Sequence, residues 1–222
     1  MRQLTVSSFV TLDGVIQAPG GPDEDPTGGF DHGGWSVTFW DDVIESHLGA
    51  SIGTENDFLL GRGTYEIFAA HWPHADPDDP FAAKLNNAMK YVVSTTLTEP
   101  SWQNTEVIST DVPDAIAALK ATDGPDIEVL GSAGLIQTLL AHDLVDQFAM
   151  IIYPVVVGSG KRLFGDGTVA GALELSASKV SPSGVIIATY RRAGDLPTGS
   201  FAFEEPTLDE VARRERLADG TP

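Results

Sequence analysis

Phe58-Leu59-Leu60-Gly61-Arg62-Gly63-Thr64-Tyr65-Glu66 is the stretch on which the fold turns. A short apolar run stops at a glycine and passes directly into a helix-like segment, which reads as strand, tight turn and helix start. The first N–H groups of a helix lack intrahelical acceptors and lie at the positive end of its dipole, so such a turn suits a phosphate. Gly61 and Gly63 leave the backbone open to an anion. Arg62 adds a planar fork of donors and Thr64 a hydroxyl. The same residues also suit a plain connection, with Thr64 as N-cap and Arg62 in solvent.

Further along the chain, Ile127-Glu128-Val129-Leu130-Gly131-Ser132-Ala133-Gly134-Leu135-Ile136-Gln137-Thr138-Leu139-Leu140 repeats the pattern of buried strand, small-residue turn and amphipathic helix. Two such turns in an α/β chain point to one extended, multiply phosphorylated ligand gripped at two helix starts.

These residues resemble a known family. Gly61-Arg62-Gly63-Thr64-Tyr65-Glu66 is similar to the Gly-Arg-x-Thr-Trp/Tyr-Glu signature of dihydrofolate reductases, and Gly131 to Leu140 to their glycine-rich turn and following helix. Asp13-Gly14-Val15-Ile16 is similar to their nicotinamide-side loop. Leu144 to Phe164, with Tyr153-Pro154-Val155-Val156-Val157-Gly158-Ser159-Gly160-Lys161-Arg162-Leu163-Phe164, is closer to the reductase domain of bacterial riboflavin biosynthesis proteins. The resemblance spans residues 2–193 and leaves 194–222 as a charged tail.

What the resemblance implies is an α/β, dihydrofolate reductase-like three-layer fold: a mostly parallel twisted central sheet with a C-terminal antiparallel hairpin. It implies NADPH as cofactor and a pterin- or aminopyrimidine-like heterocycle as substrate. Gly61, Arg62 and Thr64 would hold the adenosine-side phosphate, with Ser94 and Thr95 beside the adenine. Gly131, Ser132, Ala133, Gly134 and Leu135 would hold the pyrophosphate, and Ile16 would pack near the nicotinamide. Asp13 is the candidate catalytic polar group. Trp35 and Trp40 are candidate walls for a planar substrate, although Trp40 also suits the core. Lys161 and Arg162 would meet a substrate phosphate or solvate a loop.

The chain departs from the family in two places. Asp41 and Asp42 stand where dihydrofolate reductases carry the acid that orients the pterin, but they read better as favourable charge on a helix N-terminal turn. Ser132 replaces the second of two glycines.

Composition narrows the class. A length of 222 residues fits one large domain, or a domain plus tail. The net charge is −19, with 32 acidic residues against 13 Lys and Arg, which argues against a duplex-binding surface and makes each well-placed Arg matter more to an anionic ligand. There is no cysteine, hence no disulfide, thiolate metal site or cysteine nucleophile. No apolar run is long enough to span a membrane and no leader pattern precedes the first strand, so a cytoplasmic protein is expected. The riboflavin enzymes often carry a zinc deaminase domain before the reductase; none is recognised here, and the bifunctional enzyme is not expected.

In chain order, Gln3 to Leu12 reads as a central strand. Residues 13–35 alternate prolines and glycines with acids, so a loop without packed structure is expected, placed as a lid beside Asp13-Gly14. Helices are expected over Val37–Leu48, Thr64–Ala70, Phe81–Met89, Pro113–Ala121 and Pro206–Leu217. Further strands are expected at Tyr91–Ser94, Glu106–Ser109, Ile127–Leu130 and within Val145–Val157. Leu173–Val180 and Val185–Arg191 form a hairpin across Ser181-Pro182-Ser183-Gly184. His71-Trp72-Pro73-His74 reads as a surface turn and not a metal pair, because Pro73 stops the helix and no third ligand is placed.

Three motifs are excluded. Gly158-Ser159-Gly160-Lys161 lacks the spacing of a P-loop, Gly131 to Gly134 lacks the three-glycine Rossmann spacing, and no Gly-x-Ser-x-Gly elbow exists. The long apolar strands suggest a homodimer. The rival reading is a non-catalytic nucleotide-binding or dimeric interaction protein that keeps the helix-start phosphate sites.

Overall fold

The apolar alternation of the first strand becomes the middle of the molecule. In the computed structural model, which describes residues 1–220, β1 (Leu4–Thr11) buries Leu4, Val6 and Val10 on one side. It lies within an eight-stranded sheet ordered β4 (Thr105–Ile108), β3 (Lys90–Val93), β2 (Asn56–Gly61), β5 (Asp126–Leu130), β1, β6 (Gln147–Tyr153), β8 (Ile186–Arg192), β7 (Leu173–Val180). The pairs from β4 to β6 are parallel. β8 runs antiparallel to both β6 and β7, which supplies the expected hairpin finish.

Side chains alternate across a strand, so each sheet face needs its own helical cover. On one face α4 (Val112–Ala121) and α5 (Ala133–Ala141) bring Ile116, Ile136 and Leu139 onto Leu4, Val6 and Val10. On the other, α1 (Asp42–Ile52) sets Ile44 among Ile151, Tyr153 and Ile187. On that same face α2 (Arg62–His71) and α3 (Pro80–Asn87) set Tyr65 and Leu85 against Phe58, Leu60 and Val92. Full burial of such a Leu or Ile stabilises by about 1.5–3 kcal/mol.

Two elements differ from the sequence expectation. The first helix starts at Asp42 and not at Val37, because the Asp41 carboxylate accepts the N–H groups of Val43 and Ile44 at 3.0 and 3.1 Å. Ahead of that cap, Val37–Phe39 closes only a single 3-10 turn and Trp40 is extended. The other Asp41 oxygen accepts Ser181 Oγ at 2.5 Å and Ser183 N at 3.2 Å, which ties α1 to the β7–β8 turn. These bonds, Ser181 foremost, hold its pKa far below the ordinary carboxylate value.

The second difference is the loop after β1, which is packed. Ala18, Phe30 and Trp35 are buried, and Trp35 Nε1 donates to Gln17 O at 2.8 Å. Beyond β8 the tail carries α6 (Leu208–Ala218), which Thr207 caps and which has no buried residue. Among the described residues, no helix is long and apolar enough to cross a membrane.

Candidate active site

Parallel pairing of β2 with β5 puts the C-terminal ends of both strands on one edge of the sheet, so α2 and α5 start side by side. The two turns touch. Thr64 Oγ1 accepts Ser132 N at 3.0 Å, and Ser132 Oγ accepts Gly61 N at 3.0 Å while donating to Leu130 O at 3.0 Å. Each helix start therefore braces the other. Helix α2 begins at Arg62, so Thr64 lies inside its first turn and is not its cap.

Gly131 and Ser132 both take the left-handed backbone region, with φ of 52° and 63°. A serine there is uncommon, and its hydroxyl bonds are what offset the strain. An added Cβ on Gly131 would stand 3.4 Å from Thr64 Oγ1, so the close approach of the turns favours glycine. Gly63 and Gly134, in the first turns of α2 and α5, face open space. That leaves room beside the unpaired first-turn N–H groups.

Arg62 is half exposed and holds Glu66 at 2.8 Å, so a phosphate would have to displace a surface ion pair. Next along the edge, Ser94 and Thr95 follow directly on the end of β3. The Ser94 hydroxyl is buried and accepts Thr96 N and Leu97 N at 3.1 and 3.0 Å, shaping the turn, while Thr95 is exposed.

The other half of the edge is built by the loop after β1 and the segment after β6. Ile16 is buried in the same apolar cluster as Leu135 and donates its N–H to Lys161 O at 2.9 Å. Asp13 is not a free acid. Its carboxylate accepts Thr11 Oγ1 at 2.6 Å, Gly158 N at 2.8 Å and Val157 N at 3.3 Å. Those bonds, led by Thr11, outweigh burial and keep its pKa below the ordinary value. Arg162 bonds Asp13 O and Gly158 O beside it.

Lys161 is likewise occupied. Its Nζ meets Asp25 Oδ2 at 2.5 Å and Thr27 Oγ1 at 2.8 Å. Burial raises the Asp25 pKa, but the bonds from Lys161 and Thr27 bring it below normal, so the pair is ionic. Gln17 adds a clip, accepting Lys161 N at 3.0 Å and donating to Asp25 O and Thr27 O. The structureless lid expected at 13–35 is thus a fastened loop.

Of the two candidate tryptophans, Trp35 lines a cavity of about 410 Å³ with Phe39 and Val155 to Val157 and packs edge-on to Tyr153. Trp40 is half exposed, outside both that cavity and the core. A second cavity, of about 220 Å³, lies at the far side between α5, β6 and β7. Neither opens on the paired turns.

One residue of this region carries no sequence signal. Gln137, one turn into α5, donates to Arg162 O and Leu163 O and accepts Gly165 N, so the second helix start is fastened to the segment carrying Lys161. A glutamine on a helix face is locally unremarkable, and only the long-range contact gives it meaning.

The RibD C-terminal domain family matches residues 2–187, which hold every strand but β8 in full and the first two residues of β8. This chain belongs to the RibD C-terminal domain family. The RibD-type chain is 29% identical over 200 residues to uncharacterized protein YyaP of Bacillus subtilis (strain 168), covering 87% of this chain and 96% of that protein. It is 32% identical over 128 residues to protein YwjB of the same organism, covering 57% and 68%.

Among solved structures, a candidate riboflavin biosynthesis protein from Shewanella sp. PV-4 superposes with a TM-score of 0.65 at 21% identity, over 86% of this chain and 99% of that one. Dihydrofolate reductase from Enterococcus faecalis, complexed with NADP(H), superposes with a TM-score of 0.52 at 16% identity, over 86% and 96%. At these identities the likeness establishes the dihydrofolate reductase-like fold.

Proposed function

We propose that this RibD-type chain is an NADPH-dependent reductase acting on a small heterocycle of pterin or aminopyrimidine type. The observation that carries the reading is the braced junction of two helix starts, with Gly63 and Gly134 facing open space beside it. The donor chemistry fits a dinucleotide with an extra phosphate: first-turn N–H groups of two helices, the Thr64 hydroxyl and the Arg62 guanidinium.

In this reading Arg62 and Thr64 hold the adenosine-side phosphate, Gly61, its N–H already taken by Ser132 Oγ, sets the turn that carries them, and Ser94 and Thr95 lie beside the adenine. Gly131 to Leu135 hold the pyrophosphate, and Ile16 lies at the nicotinamide end. NADPH, when bound, supplies the hydride. The protein's part is to position and to exclude water. Asp13, ionised and spent on three donors, fixes the 157–158 turn and has no proton to give. Lys161 would reach an anionic substrate group by exchanging Asp25 for it. Trp35 and, more exposed, Trp40 offer aromatic surface. We place the reaction in the cytoplasm, in keeping with the lack of cysteine.

The test is NADPH titration followed by turnover with a panel of pterins, quinones and aminopyrimidine sugars. Binding with oxidation of the cofactor supports the reductase. Binding with no turnover on the whole panel would favour a non-catalytic nucleotide-binding protein. No binding would remove both.

A further inference from the structure

Among the described residues, every hydrogen bond between α5 and residues 158–165 comes from one side chain. Gln137 Nε2 donates to Arg162 O at 3.2 Å and Leu163 O at 3.0 Å, and its Oε1 accepts Gly165 N at 3.1 Å. An amide suits this set, since a carboxylate has no donor and an ammonium no acceptor. The receiving segment is shaped for it. A Cβ on Gly165 would stand 2.8 Å from Gln137 Oε1, so glycine there leaves the amide its place.

The same segment carries the loop after β1. Among the described residues, the hydrogen bonds that reach residues 16–27 from beyond residue 36 all come from Lys161. Its O accepts Ile16 N at 2.9 Å, its N donates to Gln17 Oε1 at 3.0 Å, and its Nζ holds Asp25 and Thr27. Leu163 N donates to Gly14 O at 2.9 Å. At Gly160 an added Cβ would stand 2.7 Å from Val15 Cγ1 and 3.1 Å from Phe30 Cε2, so segment and loop lie in close contact. Trp35, packed on Tyr153, anchors the far end of the loop.

The hydrogen-bonded route from α5 to residues 16–27 thus passes through Gln137. Leu163, Ile16 and Leu135 also share one apolar cluster, but apolar burial is non-directional and sets no register. In the reductase reading the cofactor pyrophosphate sits on the first turn of α5, and Gln137 stands one turn further on. A ligand that immobilises the first turn therefore lowers the cost of holding the segment, and the segment holds the loop. Loop order and cofactor binding then favour each other.

We infer that Gln137 is a positioning residue that couples the seating of the cofactor pyrophosphate at α5 to the ordering of residues 16–27 at the nicotinamide end. The inference rests on the reductase reading for the place of the cofactor and adds a named route between the two ends of the site. Without the Gln137 amide the two ends respond independently.

Hydrogen exchange of the full chain, with and without saturating NADPH, is the test, read in peptides over 14–27, 61–66, 131–137 and 159–165. In the wild type, NADPH should slow exchange about fivefold or more in 14–27 and 159–165 as well as at the paired turns. Gln137→Met keeps the length of the side chain and removes its donors and acceptor. In that variant NADPH should still protect 61–66 and 131–137, while its effect on 14–27 disappears. Gly165→Ala reaches the same bonds from the segment and leaves α5 untouched, so it decides the case where a change on α5 itself disturbs cofactor binding.

A merely structural glutamine would speed loop exchange by the same factor in both states and leave the NADPH-dependent change intact; that result in both variants would overturn the inference. A wild-type loop indifferent to NADPH, with the paired turns protected, would overturn it as well. Absence of protection anywhere in the wild type would instead remove the reductase reading, and the inference with it.

Discussion

Replacing Arg62 with Ala separates a phosphate site from an ordinary turn, and the structure sets the size of the effect. The guanidinium is half exposed and holds Glu66 at 2.8 Å. An exposed pair at that helical spacing is worth about 0.3–0.5 kcal/mol. A hydrogen bond from a charged donor is worth about 1.5–3 kcal/mol. Phosphate therefore outcompetes Glu66. Solvent screening at this half-exposed position brings the net to about 1–2 kcal/mol, roughly five- to thirtyfold in affinity.

NADH lacks the extra phosphate, so Arg62→Ala should weaken NADPH by that factor and leave NADH nearly unchanged. Glu66→Gln removes the competitor and should tighten NADPH about twofold. Quenching of intrinsic tryptophan fluorescence, at one fixed salt concentration, reads all the affinities. Equal losses for both cofactors would mean that the turn had collapsed, and no loss for either would mean a solvated arginine. Either result refutes the phosphate role.

Further outcomes follow from other contacts. Thr64→Val leaves Ser132 N unpaired between the helix starts and should cost about 1–3 kcal/mol in a urea melt; an unchanged midpoint would show that the bond carries no stability. Lys161→Met frees Asp25 and should make proteolysis within residues 19–34 several-fold faster, whereas equal cleavage would mean that Trp35 and Gln17 alone fasten the loop. A chain ending at Asp195 keeps the Ala172–Gly194 pairing and should bind NADPH as tightly as the full chain, so a large loss would place the tail over the site. Lys90 is fully buried, bonded to the carbonyls of Leu85, Asn86 and Ala88 with no carboxylate, and burial brings its pKa down to about 8. The unfolded chain then binds more protons above about pH 8, so stability should rise from about pH 8 toward pH 10, by at most about 1.4 kcal/mol per unit, and Lys90→Met should flatten that rise in urea midpoints.

The strand–turn–helix units were legible because glycine punctuation and apolar period are local. Gly61 and Gly131 close strands of buried residues and open helices, and the structure brings those two turns into contact. That contact itself follows from β2 pairing with β5, which no local pattern states. The packing of the loop at 13–35 is hidden for the same reason. Its glycines and prolines forbid a regular element, but what packs it is Lys161 on Asp25, 136 positions away, together with Trp35 on Tyr153.

In the first helix two local signals compete. Asp41 was legible as helix N-terminal charge, yet the apolar spacing from Trp40 drew the start forward past that cap. Lys90 and Gln137 gave no signal at all, since a buried lysine and a clamping glutamine look like surface residues until the chain is folded.

Hydrogen exchange of the wild-type chain with and without saturating NADPH tests the central claim most directly, because it reports where the cofactor sits without requiring the substrate. Slowed exchange is expected in three segments, at residues 61–66, 94–97 and 131–137, where two helix starts and the end of β3 share one sheet edge. Protection at Val155 to Val157 or along β7 instead, or none at any NADPH concentration, would contradict a cofactor held at the paired turns.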